Sequence, residues 1–190
     1  MVGAYSSMTR YEAVRRLWLR GDVLDIGCGL AYLAQFVDTG WIYIGIGGRG
    51  KLIETLKQDY HNLLTRKFHC VNIVKENSLL IRTLCASFNI ITLLAVIEHL
   101  RNTKSILILC TKMLVDDGTL VLTTPTREGD KIGGFLLKHL SIQTEDPFLC
   151  VKIYDKRSHK TLLESFNFKF DIYTKFECDM NQLFVCSKNA

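Results

Sequence analysis

Two short stretches of this sequence carry residue types that could do chemistry. The first is a glycine turn, Asp25-Ile26-Gly27-Cys28-Gly29, which directly follows an apolar, β-branched run. Glycine has no Cβ and readily adopts positive φ, so such a turn lets the backbone pass close beneath a ligand. The N–H groups at the start of a following helix would face that ligand. The turn therefore predicts a ligand-binding loop.

The second stretch is Glu98-His99, just beyond another apolar run. Imidazole titrates near physiological pH, which makes His99 our candidate general base, with Glu98 beside it. The alternative is that Glu98 caps a helix and His99 packs locally. No spacing of histidines, cysteines and carboxylates in the chain predicts a metal site.

The ligand of the glycine turn is not expected to carry a pyrophosphate. A dinucleotide fingerprint needs a small third residue where this chain has Tyr32, and a tyrosine there would obstruct the phosphates. Tyr32 also argues against an NADP enzyme, which Arg49 would otherwise suggest as a partner for a 2′-phosphate. With Asp25 before the turn and Ala31 after it, the loop suits a ligand with a cationic amino-acid end.

Alternating strands and helices must position these residues. Short apolar runs alternate with stretches of helical period, the pattern of βαβ units and a mostly parallel sheet. The pattern predicts strands at 22–26, 41–46, 68–73, 89–96 and 119–124, the last launched by a turn at 116–118. It predicts helices at 9–19, 32–37, 52–59, 78–86, 103–114, 133–140 and 160–166. Two final β-rich runs, 169–176 and 183–187, are expected to form an antiparallel pair around 179–181.

Composition favours one globular domain over 1–190, with a helical lead-in at 1–21 and a core at 23–187. The seven cysteines are scattered without ligand spacing, and no run reaches the roughly 18 apolar residues of a membrane span. The N-terminus lacks the basic flank and apolar run of a signal peptide. We therefore expect a cytoplasmic protein. Its formal charge of +5 is spread along the chain, so nucleic acid is not an expected partner.

Four motifs, in order and at matching spacings, resemble those of class I S-adenosylmethionine-dependent methyltransferases. DIGCGLAYLA (25–34) resembles DxGCGxGxLA, and NIITLLAVIEHL (89–100) is similar to FDVVTLxEVLEH. MLVDDGTLVLTTPT (113–126) resembles LLKPGGxLxxSTPN, and KTLLESFNFKF (160–170) resembles LxxLLxxAGF. The resemblance covers residues 23–170. It is nearest to the ubiquinone-biosynthesis O-methyltransferases and their relatives among the type 11 and 12 methyltransferases.

The resemblance implies an α/β, Rossmann-like methyltransferase sandwich. Its sheet would have seven mostly parallel strands, the last antiparallel, with helices on both faces. S-adenosylmethionine would be the cofactor and S-adenosylhomocysteine the product. By position, Asp25, Gly27 and Gly29 would line the methionine end of the cofactor. Asn72 would face the adenine edge, and residues 94–96 would form the floor of the site near the methyl group. The implied cofactor-binding set is Asp25, Gly27, Cys28, Gly29, Ala31, Gly47, Gly48, Asn72, Ile73, Leu94 and Ala95.

The chain departs from the family pattern at the end of strand two. An acidic residue usually accepts both ribose hydroxyls there, and this chain has Gly47. Ala31 replaces a glycine, which is tolerated while its φ stays negative, and Asn72 and Asn89 replace aspartates. These changes keep open a non-catalytic, methyltransferase-fold scaffold with weakened cofactor binding. A nucleic-acid methyltransferase is favoured only by the positive charge, and the chain lacks the Asn/Asp-Pro-Pro-aromatic signature of that class.

The expected function is methyl transfer to a small-molecule acceptor, with oxygen favoured as the nucleophile. No motif specifies the acceptor. Residues 5–16 could close over the cofactor, where Arg10, Tyr11, Arg15 and Arg16 could meet an acidic acceptor, although a solvated helix face is the alternative. Gly133-Gly134 could hinge a substrate lid. We expect a monomer or homodimer, with a partner chain as one way to complete the acceptor pocket.

Overall fold

The computed structural model describes residues 2–15, 17, 20–73, 88–132 and 152–189, with the side chains of residues 2–8 outside that description. Its helices are α1 (Val2–Arg15), α2 (Gly50–Asp59), α3 (Thr103–Met113) and α4 (Lys156–Glu164). Residues 127–132 are also helical. The helices predicted at 78–86 and 133–140, the Gly133-Gly134 hinge and Arg16 lie outside the described residues.

The described strands form one seven-stranded sheet. They are β1 (Val23–Ile26), β2 (Tyr43–Gly47), β3 (Arg66–Cys70), β4 (Phe88–Leu94), β5 (Leu114–Pro125), β6 (Phe168–Phe176) and β7 (Asn181–Lys188). Their order is β3-β2-β1-β4-β5-β7-β6. The pairs from β3 to β5 are parallel, and β7 runs antiparallel to both β5 and β6. The predicted fold class is confirmed.

The sheet packs helices against both of its faces, because successive strand residues point to opposite sides. One core holds Leu24 and Ile91 together with Leu107 of α3 and Leu163 of α4. The other holds their strand neighbours Val23 and Ile90, packed against Val14 of α1 and Ile53 of α2. A central sheet buried on both faces explains why its strands are apolar without alternation.

Two local predictions differ from the structure. The helix predicted at 32–37 is a 3-10 turn, Tyr32–Gln35, because the bend at 38–40 follows too soon for a longer helix. The turn predicted at 116–118 is an irregularity inside β5, where Asp117 has φ +60°. Phe88 pairs with Leu114 before it, and Ile90 pairs with Thr119 after it.

Arg66 of β3 ties this short 3-10 turn to the sheet. Its guanidinium is 7% exposed and donates to the backbone carbonyls of Ala34 (3.1 Å), Trp41 (2.9 Å) and Val37. These carbonyls would otherwise be buried acceptors without partners at the end of a short turn. A charged fork with several donors satisfies them together.

His159 of α4 is a buried histidine whose protonation affects the stability of the fold at low pH. Its ring lies between Tyr154 and Phe184, with centroid distances of 4.7 and 4.4 Å. Neither ring nitrogen has a hydrogen-bond partner within the described part of the chain. Burial lowers the pKa of His159 from 6.5 to about 4, and the nearby charge and backbone of Asp155 offset only part of that effect.

We expect His159→Phe to remove an acid-dependent loss of stability. Between pH 6.5 and about 4 the unfolded chain binds a proton at this residue that the folded chain does not, so the wild-type free energy of unfolding falls as pH falls. Urea denaturation of both proteins at pH 7.5 and 5 should show the variant gaining about 2 kcal/mol relative to wild type. His61→Phe, at an exposed position, should change nothing. Parallel pH profiles for H159F and wild type would contradict the assignment.

Candidate functional site

A cavity of about 740 Å³ opens at the carboxyl ends of β1, β2, β3 and β4. Parallel strands end together at this edge. The strand order reverses at β1, with β2 and β3 on one side and β4 and β5 on the other, and open α/β sheets bind ligands at such a point. Seven of the predicted cofactor residues and the candidate base line it: Gly27, Gly29, Gly47, Gly48, Asn72, Ile73, Ala95 and His99. The structure therefore brings together positions spread over more than seventy residues of sequence.

The remaining predicted residues lie behind this wall. Cys28, Ala31 and Leu94 are buried against the core, and Asp25 and Glu98 are buried polar residues that do not reach the cavity surface. Other lining residues were not singled out from the sequence: Leu52, Ile53, Val71 and Leu100 among them. Leu52 and Ile53 had a signal, because the helix that follows a ligand-binding strand presents its apolar face to the same edge.

The glycine turn reaches the cavity through strongly positive φ angles. Gly27 has φ +81°, and a Cβ there would lie 2.3 Å from Cγ2 of Val96. Gly29 has φ +51°. Ala31 also adopts φ +52°, so the condition of a negative φ, under which an alanine was expected to be tolerated here, is not met. The left-handed conformation costs a non-glycine residue roughly 1 kcal/mol, which the packing of the buried Ala31 methyl offsets.

The N–H groups of the turn are partly engaged inside the protein. The N–H groups of Gly27 and Cys28 both donate to the carbonyl of Ile46, at 2.8 and 3.0 Å, and the N–H of Ala31 donates to the carbonyl of Cys28. Gly27 and Cys28 precede the 3-10 turn, so the expectation that helix-start N–H groups face the ligand stays a prediction. The N–H groups of Gly27 and Cys28 hold the turn across the end of β2, and that of Ala31 closes the turn on itself.

Asp25 supports the turn from below. Its two carboxylate oxygens accept hydrogen bonds from the hydroxyls of Tyr43 and Thr92, each at 2.7 Å. Burial raises the pKa of Asp25, and the two hydroxyl donors counter part of that rise. The carboxylate thus links β1 to both neighbouring strands, and the expectation that Asp25 lines the methionine end of a bound cofactor stays a prediction.

His99 and Glu98 occupy a 3-10 turn, Ile97–His99, beyond β4. His99 lines the cavity. Glu98 is 2% exposed, and its Oε2 has no hydrogen-bond partner within the described residues. Burial raises the pKa of Glu98 to about 7, despite a backbone hydrogen bond and the charge of Arg10. Of the two, His99 is placed to act on a ligand in the cavity.

The cavity wall at the end of β2 has no acidic residue among the described residues. Gly47, Gly48 and Arg49 stand where β2 ends, and no carboxylate belongs to the described lining of the cavity. A Cβ at Gly47 would lie 3.3 Å from Cδ1 of Ile53, the movable end of a side chain. The position can therefore accept a side chain with a small adjustment of Ile53.

Comparison with known proteins gives concordant findings. A family model described as a methyltransferase domain matches residues 10–171. The ubiquinone biosynthesis O-methyltransferase of Glaesserella parasuis serovar 5 (strain SH0165) is 30% identical over 110 residues, which cover 55% of this chain and 45% of the relative. The chain thus spans less than half of the length of that curated relative.

Solved structures share the fold at low identity. The N-methyltransferase NodS from Bradyrhizobium japonicum WM9, in complex with S-adenosyl-L-homocysteine, has a TM-score of 0.67 at 15% identity, covering 95% of this chain and 86% of NodS. A chain of the complex between the Haloferax volcanii Trm112 methyltransferase activator and a methyltransferase has a TM-score of 0.73 at 9% identity, covering 99% and 93%. Among the described residues no helix is long and apolar enough to cross a membrane.

Proposed function

This chain belongs to the methyltransferase domain family, and on that premise we propose that it transfers a methyl group from S-adenosylmethionine to a small-molecule acceptor, with oxygen as the favoured nucleophile. The observation that carries the proposal is the cavity at the strand ends, lined by Gly27, Gly29, Asn72 and His99. The O-methylation follows the curated relative. The predicted cytoplasmic location is part of the same proposal.

The described residues fit the cofactor. Gly27 and Gly29 adopt positive φ, which lets the backbone of the turn run along the cavity under the proposed methionine end. The proposed adenosine end would contact the amide of Asn72 and the apolar side chains of Val71 and Ile73. When bound, the cofactor supplies a methyl group on an already activated sulfonium leaving group.

The protein's own contribution is to align the reacting groups and to accept one proton. A displacement of this kind gains most of its acceleration from holding nucleophile and methyl group in line. The backbone of Ala95, fixed by hydrogen bonds from its N–H to the carbonyl and hydroxyl of Thr123, forms the floor on which that alignment rests. His99, on the next turn, would take the proton from an acceptor hydroxyl.

Isothermal titration with S-adenosylmethionine and with S-adenosylhomocysteine tests the proposal first. Binding in the micromolar range supports the cofactor assignment and justifies a screen of phenol, catechol and amine acceptors for S-adenosylhomocysteine production. A folded protein that binds neither ligand contradicts it and favours the scaffold function. Gly47 is the observation behind that second candidate, because the usual ribose-binding carboxylate is missing.

Gly47→Asp should strengthen cofactor binding. The new carboxylate would accept hydrogen bonds from the ribose hydroxyls, and a charge-assisted pair contributes about 1.5 to 3 kcal/mol, or roughly tenfold to a hundredfold in affinity. The measurement is the dissociation constant of S-adenosylhomocysteine by titration. Gly47→Asn is the matched control, since it has the same shape without the charge and should gain much less. Equal or weaker binding by G47D would count against this placement of the ribose.

A partner chain is a further part of the proposal. The structurally similar chain from Haloferax volcanii comes from a complex with an activator protein. We propose that a partner of this kind, or a second copy of the chain, completes the acceptor side of the cavity. Light scattering measures the molar mass of the protein purified alone and after co-expression with proteins encoded beside it. A mass above that of the monomer in either sample supports the proposal, and a monomer in both contradicts it.

A further inference from the structure

Tyr11 of α1 is a cavity residue that the proposed machinery has not yet used. It lies on the same helical face as Val14, three residues later, whose side chain is fully buried in the core. The Tyr11 ring meets the Tyr32 ring edge-on, with centroids 5.5 Å apart. Helix α1 is also joined to the 3-10 turn by Arg15, whose guanidinium lies 5.6 Å from the centre of the Phe36 ring. The ring of Tyr11 is therefore held in place at the cavity.

The hydroxyl of Tyr11 lies over the glycine turn. A Cβ built on Gly29 would be 3.9 Å from the Tyr11 oxygen, and both residues line the cavity. This oxygen makes no hydrogen bond within the described part of the chain. Burial, and after it the nearby Asp25 carboxylate, raise the pKa of Tyr11 above its ordinary value, so the phenol keeps its proton. It is a neutral donor facing the cavity.

The amino-acid end of the ligand needs donors from the protein, because its carboxylate loses hydrogen bonds to water when it binds. The turn does not supply the N–H groups of Gly27 and Cys28, because both donate to the carbonyl of Ile46. The hydroxyls of Tyr43 and Thr92 are likewise committed to Asp25. Tyr11 is a hydroxyl donor that lines the cavity beside Gly29.

We propose that Tyr11 is a positioning residue whose hydroxyl donates a hydrogen bond to the carboxylate at the amino-acid end of the cofactor. The inference rests on the proposed function and adds one contact to it. By fixing the amino-acid end, the contact sets how far the sulfonium side of the ligand extends toward Ala95 and His99. The role is one of orientation, and Tyr11 takes no part in proton transfer.

The test pairs two variants with two ligands. Tyr11→Phe keeps the ring and its contact with Tyr32 but removes the donor, and Tyr60→Phe, at a tyrosine that packs on Phe68 outside the cavity lining, is the matched control. S-adenosylhomocysteine carries the carboxylate, whereas 5′-methylthioadenosine has the same nucleoside and sulfur without the amino-acid end. Dissociation constants are measured for each combination by isothermal titration.

We expect Tyr11→Phe to weaken S-adenosylhomocysteine binding by about tenfold or more. Binding of 5′-methylthioadenosine should stay unchanged, and Tyr60→Phe should affect neither ligand. Equal weakening of both ligands by Y11F would mean a packing role and would overturn the proposal, as would no change for either. A wild-type protein that binds neither ligand overturns the proposed function and this inference with it; wild-type binding with an unresponsive Y11F overturns the inference alone.

Discussion

Replacing Gly27 with valine is expected to weaken binding of S-adenosylmethionine and S-adenosylhomocysteine by at least about a hundredfold. Gly27 has φ +81°, a conformation that a β-branched residue adopts only with strain. Any Cβ at this position would also lie 2.3 Å from Val96, another residue of the cavity wall. The turn or Val96 must move, and either movement closes the space beneath the ligand. Isothermal titration measures the loss.

Two further variants separate a blocked site from a damaged fold. Gly29→Val is also strained, because Gly29 has φ +51°, but its Cβ would lie 3.9 Å from the Tyr11 hydroxyl oxygen without striking the core, so a folded G29V protein should have a blocked cavity. Gly40→Val, in a turn where nothing lies within 4 Å of an added Cβ, should bind like wild type. Full binding by folded G29V and G27V proteins would contradict our placement of the site.

Replacing His99 with alanine should slow methyl transfer to an oxygen acceptor by about a hundredfold, because a positioned general base contributes on that scale. Cofactor affinity should be unchanged, since the imidazole is assigned to the acceptor. The measurement is S-adenosylhomocysteine production with an acceptor found by screening, across a range of pH. The acid-side limb of the wild-type rate profile should disappear in H99A.

The control for this experiment is His69→Ala, which removes a half-buried histidine of β3 outside the cavity lining. It should retain the wild-type rate and pH profile. Wild-type turnover by H99A would remove the base assignment. In that case Glu98→Gln becomes the informative variant, because the carboxyl of Glu98 is the neighbouring titratable group, and burial raises its pKa to about 7.

The sheet was predictable because its central strands are mostly apolar. Residues 90–94 are buried, and β4 lies between β1 and β5 as that pattern implies. The antiparallel last strand came from the resemblance to a family, and the strand order was not predicted, because apolar periodicity does not determine which strands are neighbours. Element ends shifted by a few residues where polar groups bond across the chain, as at β3, which begins at Arg66.

The site was predictable at positions where the backbone conformation requires one residue type, such as glycine. A glycine with positive φ, as at Gly27, can be predicted from its place in a strand-to-helix turn, whereas the contacts of a buried polar side chain cannot be predicted from the sequence. Nothing in the sequence around Asp25 indicates that Tyr43 and Thr92 occupy both of its oxygens. In the same way, the sequence placed Tyr11 with three arginines, to meet an acidic acceptor or to lie on a solvated helix face. Only the structure shows that it packs beside Gly29, the contact on which its proposed role as a donor rests.

The carbonyls held by Arg66 also bear on the order in which the protein folds. They join residues 34–41 to a strand only 25 to 32 residues further along the chain, within a segment where β1, β2 and β3 are consecutive in sequence and adjacent in space. Short loops of this kind close with little entropy loss and form early, whereas β7 must insert between two strands already made. We therefore expect the first seventy residues to become structured during synthesis, so that the cofactor turn is formed before the acceptor side of the cavity exists.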